Sequence, residues 1–329
     1  MPKYVRIMHC TLFRIKKGCT MNSKTILYII KRLLLALLTV WIVITITFAV
    51  MHAVPGGPFA SEKAVTPAVQ QALEKKYGLD KPVIEQYFTY LKDIVTKFDF
   101  GPSLKLRGQN VIDIIMDGMK TSALLGLVAA AIALVFGVVL GSVAALNRNR
   151  LADRIIMVLT TAFVSMPSFI MGTLLLLFFA VKLGWLPANG EQSGGLVLPI
   201  ITLSLSPMAN ITRLMRSSML DVLGQDYIRT AKAKGVSKWK IIFGHAMKNA
   251  LIPVITYFGP MLAYIVTGSL VVEQIFAVPG IGRSFVKCII NRDYPLIMGT
   301  TIILATLIVI MNLVSDILYK VVDPRIKLE

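Results

Sequence analysis

The sequence predicts an all-α integral membrane protein with six transmembrane helices and both termini on the inner side. Three observations lead there. Hydrophobic residues make up 56% of the 329-residue chain and charged residues only 16%, with a mean hydropathy of +0.72, a composition outside the soluble globular range. The charges stand in islands, and the intervals between islands reach the roughly 20 residues that cross a bilayer. The excess of Lys and Arg falls on alternate loops, the pattern that orients membrane helices. The net charge of +18 therefore belongs to topology, and no nucleic acid partner is implied.

Residues 1–32 form a basic N-terminus. Its first 20 residues are poorly patterned and precede a second methionine, Met21, so they read as an over-extended start or a dispensable cytoplasmic tail. A cleaved signal peptide fits less well, because the hydrophobic run that follows is too long. Leu33 to Met51 is free of charge and flanked by Lys31-Arg32, giving the first span (33–51). Val54-Pro55-Gly56-Gly57-Pro58 ends it. An extracytoplasmic insert (52–120) follows, with an amphipathic helix near Pro82 to Val95 whose Ile84, Tyr87, Phe88, Leu91, Ile94 and Val95 fall on one side.

A five-span core fills 121–322. Thr121 to Leu146 carries Ala129, Ala133, Gly137, Gly141 and Ala145 at every fourth position, a ladder of small residues that lets another helix approach closely. The basic loop Asn147–Arg150 leads to the third span, Ile155 to Val181, interrupted at Met166-Pro167. Gln192 to Thr212 is the fourth, broken by Pro199 and Pro207. A proline inside a span frees backbone groups and often marks a kink beside a pathway; packing kinks are the equal alternative for Pro167, Pro199 and Pro207. Span five covers Asn249 to Val272, with Pro253 near its start, and span six covers Tyr294 to Ser315. Asp316 near its inner end suits an interfacial anchor or a partner for Lys320. A short tail, 323–329, closes the chain.

Between spans four and five lies a basic loop (213–250) with its own pattern. Asp226 to Pro253 reads as two short helices, with Gly235 in the left-handed conformation that stops the first and Ser237 at the N-cap of the second. Trp239, Ile242, Phe243, Ala246 and Ala250 then form one apolar stripe amid lysines. Such an elbow rests on anionic lipid or presses into a protein groove. The order of Ala231, Gly235 and Trp239 suits the groove.

The run Arg229-Thr230-Ala231, followed by Gly235, resembles the "EAA" signature of bacterial ABC importer permeases, with Arg229 where glutamate is typical. The longer string YIRTAKAKGVSKWKIIFGHAMKNALIPVI is similar to that of the dipeptide/oligopeptide permease branch. So are YGLDKPVIEQY after the first span, the stretch Glu273 to Gly282, and the Asp323-Pro324-Arg325 ending. The resemblance implies an ABC importer type I permease in the bacterial plasma membrane, paired with a homologous second permease subunit. Two cytoplasmic ABC ATPase subunits bind ATP and Mg, and an extracytoplasmic substrate-binding protein delivers a di- or oligopeptide. It implies ATPase coupling through Arg229, Thr230, Ala231, Gly235, Trp239, Ile242 and Phe243. It also implies an outer gate or binding-protein contact at Glu273, Phe276, Pro279 and Gly280; the position of Glu273, bordering span five from outside, suits the membrane interface.

No catalytic constellation stands beside these features. The chain has no GxxxxGK[ST] phosphate loop, its three cysteines and three histidines have no ligand spacing, and no cofactor or metal is implied for the chain itself. An ion-gradient-driven transporter or channel would carry ionisable residues in mid-span, which these spans lack. An inert membrane anchor would not need kinking prolines in three spans. Nickel chelates or another small solute are the alternative cargo within the ABC class.

Overall fold

The structure, a computed structural model, describes residues 23–54, 75, 80–106 and 108–322, with side chains described between 30 and 314. The unpatterned first 20 residues, the Pro55–Pro58 break, residues 77–79 at the head of the YGLDKPVIEQY string, the Asp316–Lys320 pair and the 323–329 tail thus lie outside the described residues or side chains. The chain divides into two compact units, 1–42 and 43–329. Helix α1 (Ser23–Ala53) supplies the described part of the first unit. There Leu33, Leu34, Leu37 and Trp41 are all exposed, as a lipid-facing helix requires.

Among the described residues, five helical segments are long and apolar enough to cross a membrane: Ile30–Ala53, Val111–Leu146, Val197–Leu223, Lys238–Ile275 and Tyr294–Val314. A sixth arises if Leu151–Ser165 and Ser168–Lys182, bent by 108° at their junction, form one broken span. Among the described residues the only non-helical pairing is an isolated bridge, Pro102 with Asn110.

In the second unit, α2 (Val83–Lys97) is the insert helix. Its inner side meets the end of α1, with the hydroxyls of Thr45 and Tyr87 2.7 Å apart and Phe48 edge-on to Tyr87. The expected single apolar side is in fact two. Tyr87, Leu91 and Ile94 turn inward, whereas Ile84, Phe88 and Val95 are exposed, because only one narrow face has chain to pack against.

Helix α3 (Val111–Leu146) is the central pillar, and it begins ten residues before the expected span. Val111 and Ile115 are fully buried, packed on Gly299 of the last helix, so the extra turns are anchored. The small-residue ladder works against α6 (Val197–Leu223). A Cβ on Gly137 would lie 2.6 Å from the Ile211 side chain, and one on Gly141 2.6 Å from the Thr212 carbonyl. Gly126 plays the same part against the Ile265 carbonyl, on α9 (Met247–Val266).

Helix α4 (Leu151–Ser165) and α5 (Ser168–Leu175), the latter continued by a π-helical stretch Leu176–Lys182, meet at Met166-Pro167. Pro167 therefore sits at a break sharper than a kink. Pro207 lies inside α6. Pro199 requires a correction. It occupies the first turn of α6, where no backbone N–H is needed and proline is tolerated without bending the helix. Proline was also missed at one place: Pro260 joins Pro253 inside α9.

Candidate functional site

The loop after α6 is a built elbow. Helix α7 (Asp226–Ala233) is stopped by Gly235 at φ +73. The Gly235 N–H donates to Lys232 O and the Val236 N–H to Ala231 O, the paired bonds that close a helix on a left-handed glycine. Ser237 is the N-cap of α8 (Lys238–Lys240), although its side chain makes no capping bond. A π-helical turn, Ile241–Ala246, then feeds directly into α9. The Asn249 side chain donates to the Tyr227 hydroxyl at 2.8 Å, tying the two arms together.

The expected single apolar stripe divides here. Ile242, Ala246 and Ala250 are buried, while Trp239 is 69% and Phe243 55% exposed. The cause is the π-helical turn. Its wider winding puts Ile241 and Ala246, five apart, on the inner side, where Ile228, Ile241 and Ile242 join a core with Met215 and Met219. Trp239 and Phe243 are left outside, stacked with centroids 5.7 Å apart and ring planes 15° from parallel. Lys238 and Lys240, next to Trp239 in the chain, are exposed, as are Arg229 and Thr230 on α7, and Ala231 is half-buried. The elbow is therefore clamped to the bundle by aliphatic residues and presents an aromatic plate edged with cations. Ile228, its fully buried anchor, was not singled out by the sequence pattern.

The string after α9 is organised by Glu273, on α10 (Leu270–Ile275). Glu273 is enclosed by its own chain, 0% exposed. Its carboxylate accepts from Ser122 Oγ at 2.7 Å, from the Gly282 N–H at 2.8 Å and from the Arg283 N–H at 3.2 Å. The last two are free N-terminal donors of α11 (Ile281–Ile290), where a carboxylate complements the helix dipole. Ser122 in turn accepts from the Ile281 N–H, so α3, α10 and α11 meet on one buried acid. Gly280 is required at its position: a Cβ would overlap the Glu273 carboxylate.

The rest of the string is equally fixed. Phe276 is fully buried, sits against Gly172 of α5, and its carbonyl accepts from the Gly190 N–H at 2.6 Å. Arg283 spans the Ala277 carbonyl at 2.6 Å and Glu191 at 2.7 Å. Of the four residues assigned to an outer contact, Glu273, Phe276 and Gly280 are enclosed by their own chain, and Pro279 alone is exposed. Direct contact from the first three to another protein is closed off. They shape the string instead. A second buried acid, Asp293, accepts from the Ser103 hydroxyl and the Leu104 N–H, pinning the loop before α3 to the start of α12 (Tyr294–Val322).

Comparison with known proteins identifies the chain. Residues 137–328 match the family "Binding-protein-dependent transport system inner membrane component", and residues 25–124 match its N-terminal companion. The chain belongs to this permease family. It is 47% identical over 303 residues to the oligopeptide transport system permease protein OppB of Haemophilus influenzae, covering 91% of this chain and 99% of that protein. It is 49% identical over 302 residues to the dipeptide transport system permease protein DppB of Bacillus subtilis, covering 92% and 98%. A solved structure titled as inward-facing conformations of the MetNI methionine ABC transporter superposes with a TM-score of 0.52 at 17% identity, over 64% of this chain and 97% of that one. This permease is thus a multi-pass protein of the bacterial plasma membrane with the type I importer permease fold. Its family role is that of a transport subunit working with ABC ATPases and other permease chains.

Sequence reasoning missed the connectors of this permease. Ser122 and Asp153 carry no mark in the sequence pattern that singles them out. Each is defined by a partner far along the chain, and only the folded packing reveals it.

Proposed function

We propose that this permease carries di- or oligopeptides across the plasma membrane and takes its driving force from ABC ATPases docked on residues 213–250. The observation that carries this reading is the exposed Trp239–Phe243 stack. A lipid-resting helix has no need of two rings held parallel, whereas a protein groove gains from a rigid aromatic plate with a cationic rim. The elbow and both termini face the cytoplasm, the insert and the Glu273–Gly282 string face outward, and a second, homologous permease completes the pathway. A substrate-binding protein delivers cargo to the outer face. ATP and Mg reside on the ATPases. Because Ile228, Ile241 and Ile242 anchor the elbow in the core, a push on the aromatic plate is passed to α6 and α9 as a rigid displacement. The switch between states is then biased only by the arrangement of the ATPases that ATP binds better.

Co-expression with candidate ATPases tests the docking surface. Wild type captures them, and the Trp239→Ala/Phe243→Ala variant loses capture while remaining folded, because both rings are exposed. Undiminished capture by the double variant would remove the elbow from the mechanism. Uptake of labelled dipeptides and longer peptides by the assembled importer tests the cargo, and uptake of a nickel chelate in place of peptides would overturn it.

A further inference from the structure

We propose that the Asp153–Arg216 ion pair is a transmission strut that carries movement of the α6–elbow unit to the broken helix α4–α5. This inference rests on the docking of ATPases at the elbow. It begins with the way α4 is attached. Most of its apolar side chains, Leu151, Ile155, Val158 and Leu159 among them, are exposed, and the two buried side chains of the helix are both polar: Asp153 and Thr160. The Thr160 hydroxyl bonds the Met157 carbonyl of its own helix, so it ties α4 to nothing else. Asp153 reaches across 63 residues to Arg216. Arg216 Nε donates to Oδ1 at 2.6 Å and Nη2 to Oδ2 at 2.7 Å, a two-pronged geometry that fixes orientation as well as distance. The Asn149 N–H adds a third bond to Oδ2 at 2.8 Å. A helix without a buried apolar side chain is thereby gripped at one end by a directional ionic contact.

The two ends of this contact lead to the two functional regions. Arg216 lies on α6 at a close contact with α3, where a Cβ on Gly141 would meet the Thr212 carbonyl, Met215 Cβ and the Arg216 N. Two turns later α6 becomes the elbow. Asp153 lies in the first turn of α4, which breaks by 108° into α5. On α5, Gly172 packs against Phe276 of the outer string and Thr202 of α6. A displacement of α6 is passed by the ion pair to α4, and the Met166-Pro167 break redirects it toward Phe276. A paired charge is suited to this work. Slippage would leave a carboxylate or a guanidinium unpaired in a partly buried place, which is strongly disfavoured, so the pair moves as one piece and stays closed in both states.

The test uses the assembled importer in proteoliposomes, reading ATPase co-purification, ATP hydrolysis and peptide import for each preparation. Asp153→Asn and Arg216→Gln are expected to retain the ATPases and their hydrolysis while import per ATP falls about tenfold, within the usual span of coupling effects. Arg216→Lys, which keeps the charge and loses the fork, is expected to fall between. In a background lacking Cys10, Cys19 and Cys288, Asp153→Cys/Arg216→Cys joined by a short thiol cross-linker is expected to regain coupled import. Import per ATP within twofold of wild type in the assembled Asp153→Asn importer would overturn the strut. If Asp153→Asn does not assemble, the cross-linked pair decides: assembly regained without import per ATP also overturns it. Failure of wild type to capture ATPases strikes the elbow reading instead, and that is read in the first step.

Discussion

Replacing Glu273 tests the buried clasp at the outer string. Glu273→Ala deletes an acceptor that serves Ser122, Gly282 and Arg283. The Ser122 hydroxyl can rotate to another acceptor, but the two backbone N–H groups cannot. Each stranded buried donor costs about 1–3 kcal/mol, so the alanine variant should lose roughly 2–6 kcal/mol. Glu273→Gln keeps the shape. Its amide oxygen can still face Gly282 and Arg283, while its NH2 donates to Ser122 Oγ, so it forfeits mainly the charge assistance. That difference is about 1 kcal/mol per bond, between hydrogen bonds to charged and to neutral groups. Thermal unfolding of the purified permease in detergent, followed by size-exclusion recovery, should rank wild type above the glutamine variant and both well above alanine. An alanine variant that melts with wild type would refute the assignment of the carboxylate as the clasp of α3, α10 and α11. Equal losses for alanine and glutamine would show that charge, and not the number of acceptors, holds the string.

Two further outcomes follow from the packing. Gly141→Ala forces a methyl onto the Thr212 carbonyl and Met215 and should cost about 1–3 kcal/mol by overpacking, whereas Gly244→Ala, whose nearest neighbour would be Lys240 Cγ at 3.9 Å, should melt with wild type. Burial pushes the Cys288 thiol up to about 12 from an ordinary 9.0. A maleimide at neutral pH should therefore spare it until the protein unfolds. The native state holds this proton more tightly than the unfolded chain, so its contribution to stability is complete below pH 9 and declines as pH rises toward 12, which the onset of labelling across that range checks.

Much of this architecture is legible along the chain, because lipid imposes a simple rule: long uncharged runs separated by charged loops. The ladder from Ala129 to Ala145 announces a close helix contact, and Gly235 announces the elbow turn, since each is a local requirement written in one residue type. Three kinds of feature are not written locally. The π-helical turn at Ile241–Ala246 has no compositional mark, so a regular 3.6-residue spacing puts Trp239 and Phe243 in one stripe with Ile242, Ala246 and Ala250. Pro199 reads as a kink only while the start of α6 is unknown; at the first turn the same residue is harmless. Glu273 and Asp153 gain their meaning from Ser122, Gly282 and Arg216, partners that pattern reading along the chain does not bring together.

The π-helical turn of the elbow also works as an angular setting. Its backbone holds one more residue than the α-helical path through the same rise, and each residue of an α-helix turns the chain by about 100°. Rewinding the same six residues, 241–246, as α-helix with none removed would swing α8 by about that angle relative to α9 and turn Trp239 away from its present direction. The direction in which the permease offers its aromatic plate is therefore set by the winding of this one turn. A one-residue deletion there lets the turn close as α-helix with Trp239 still in phase, so it should keep ATPase capture far better than removing the rings.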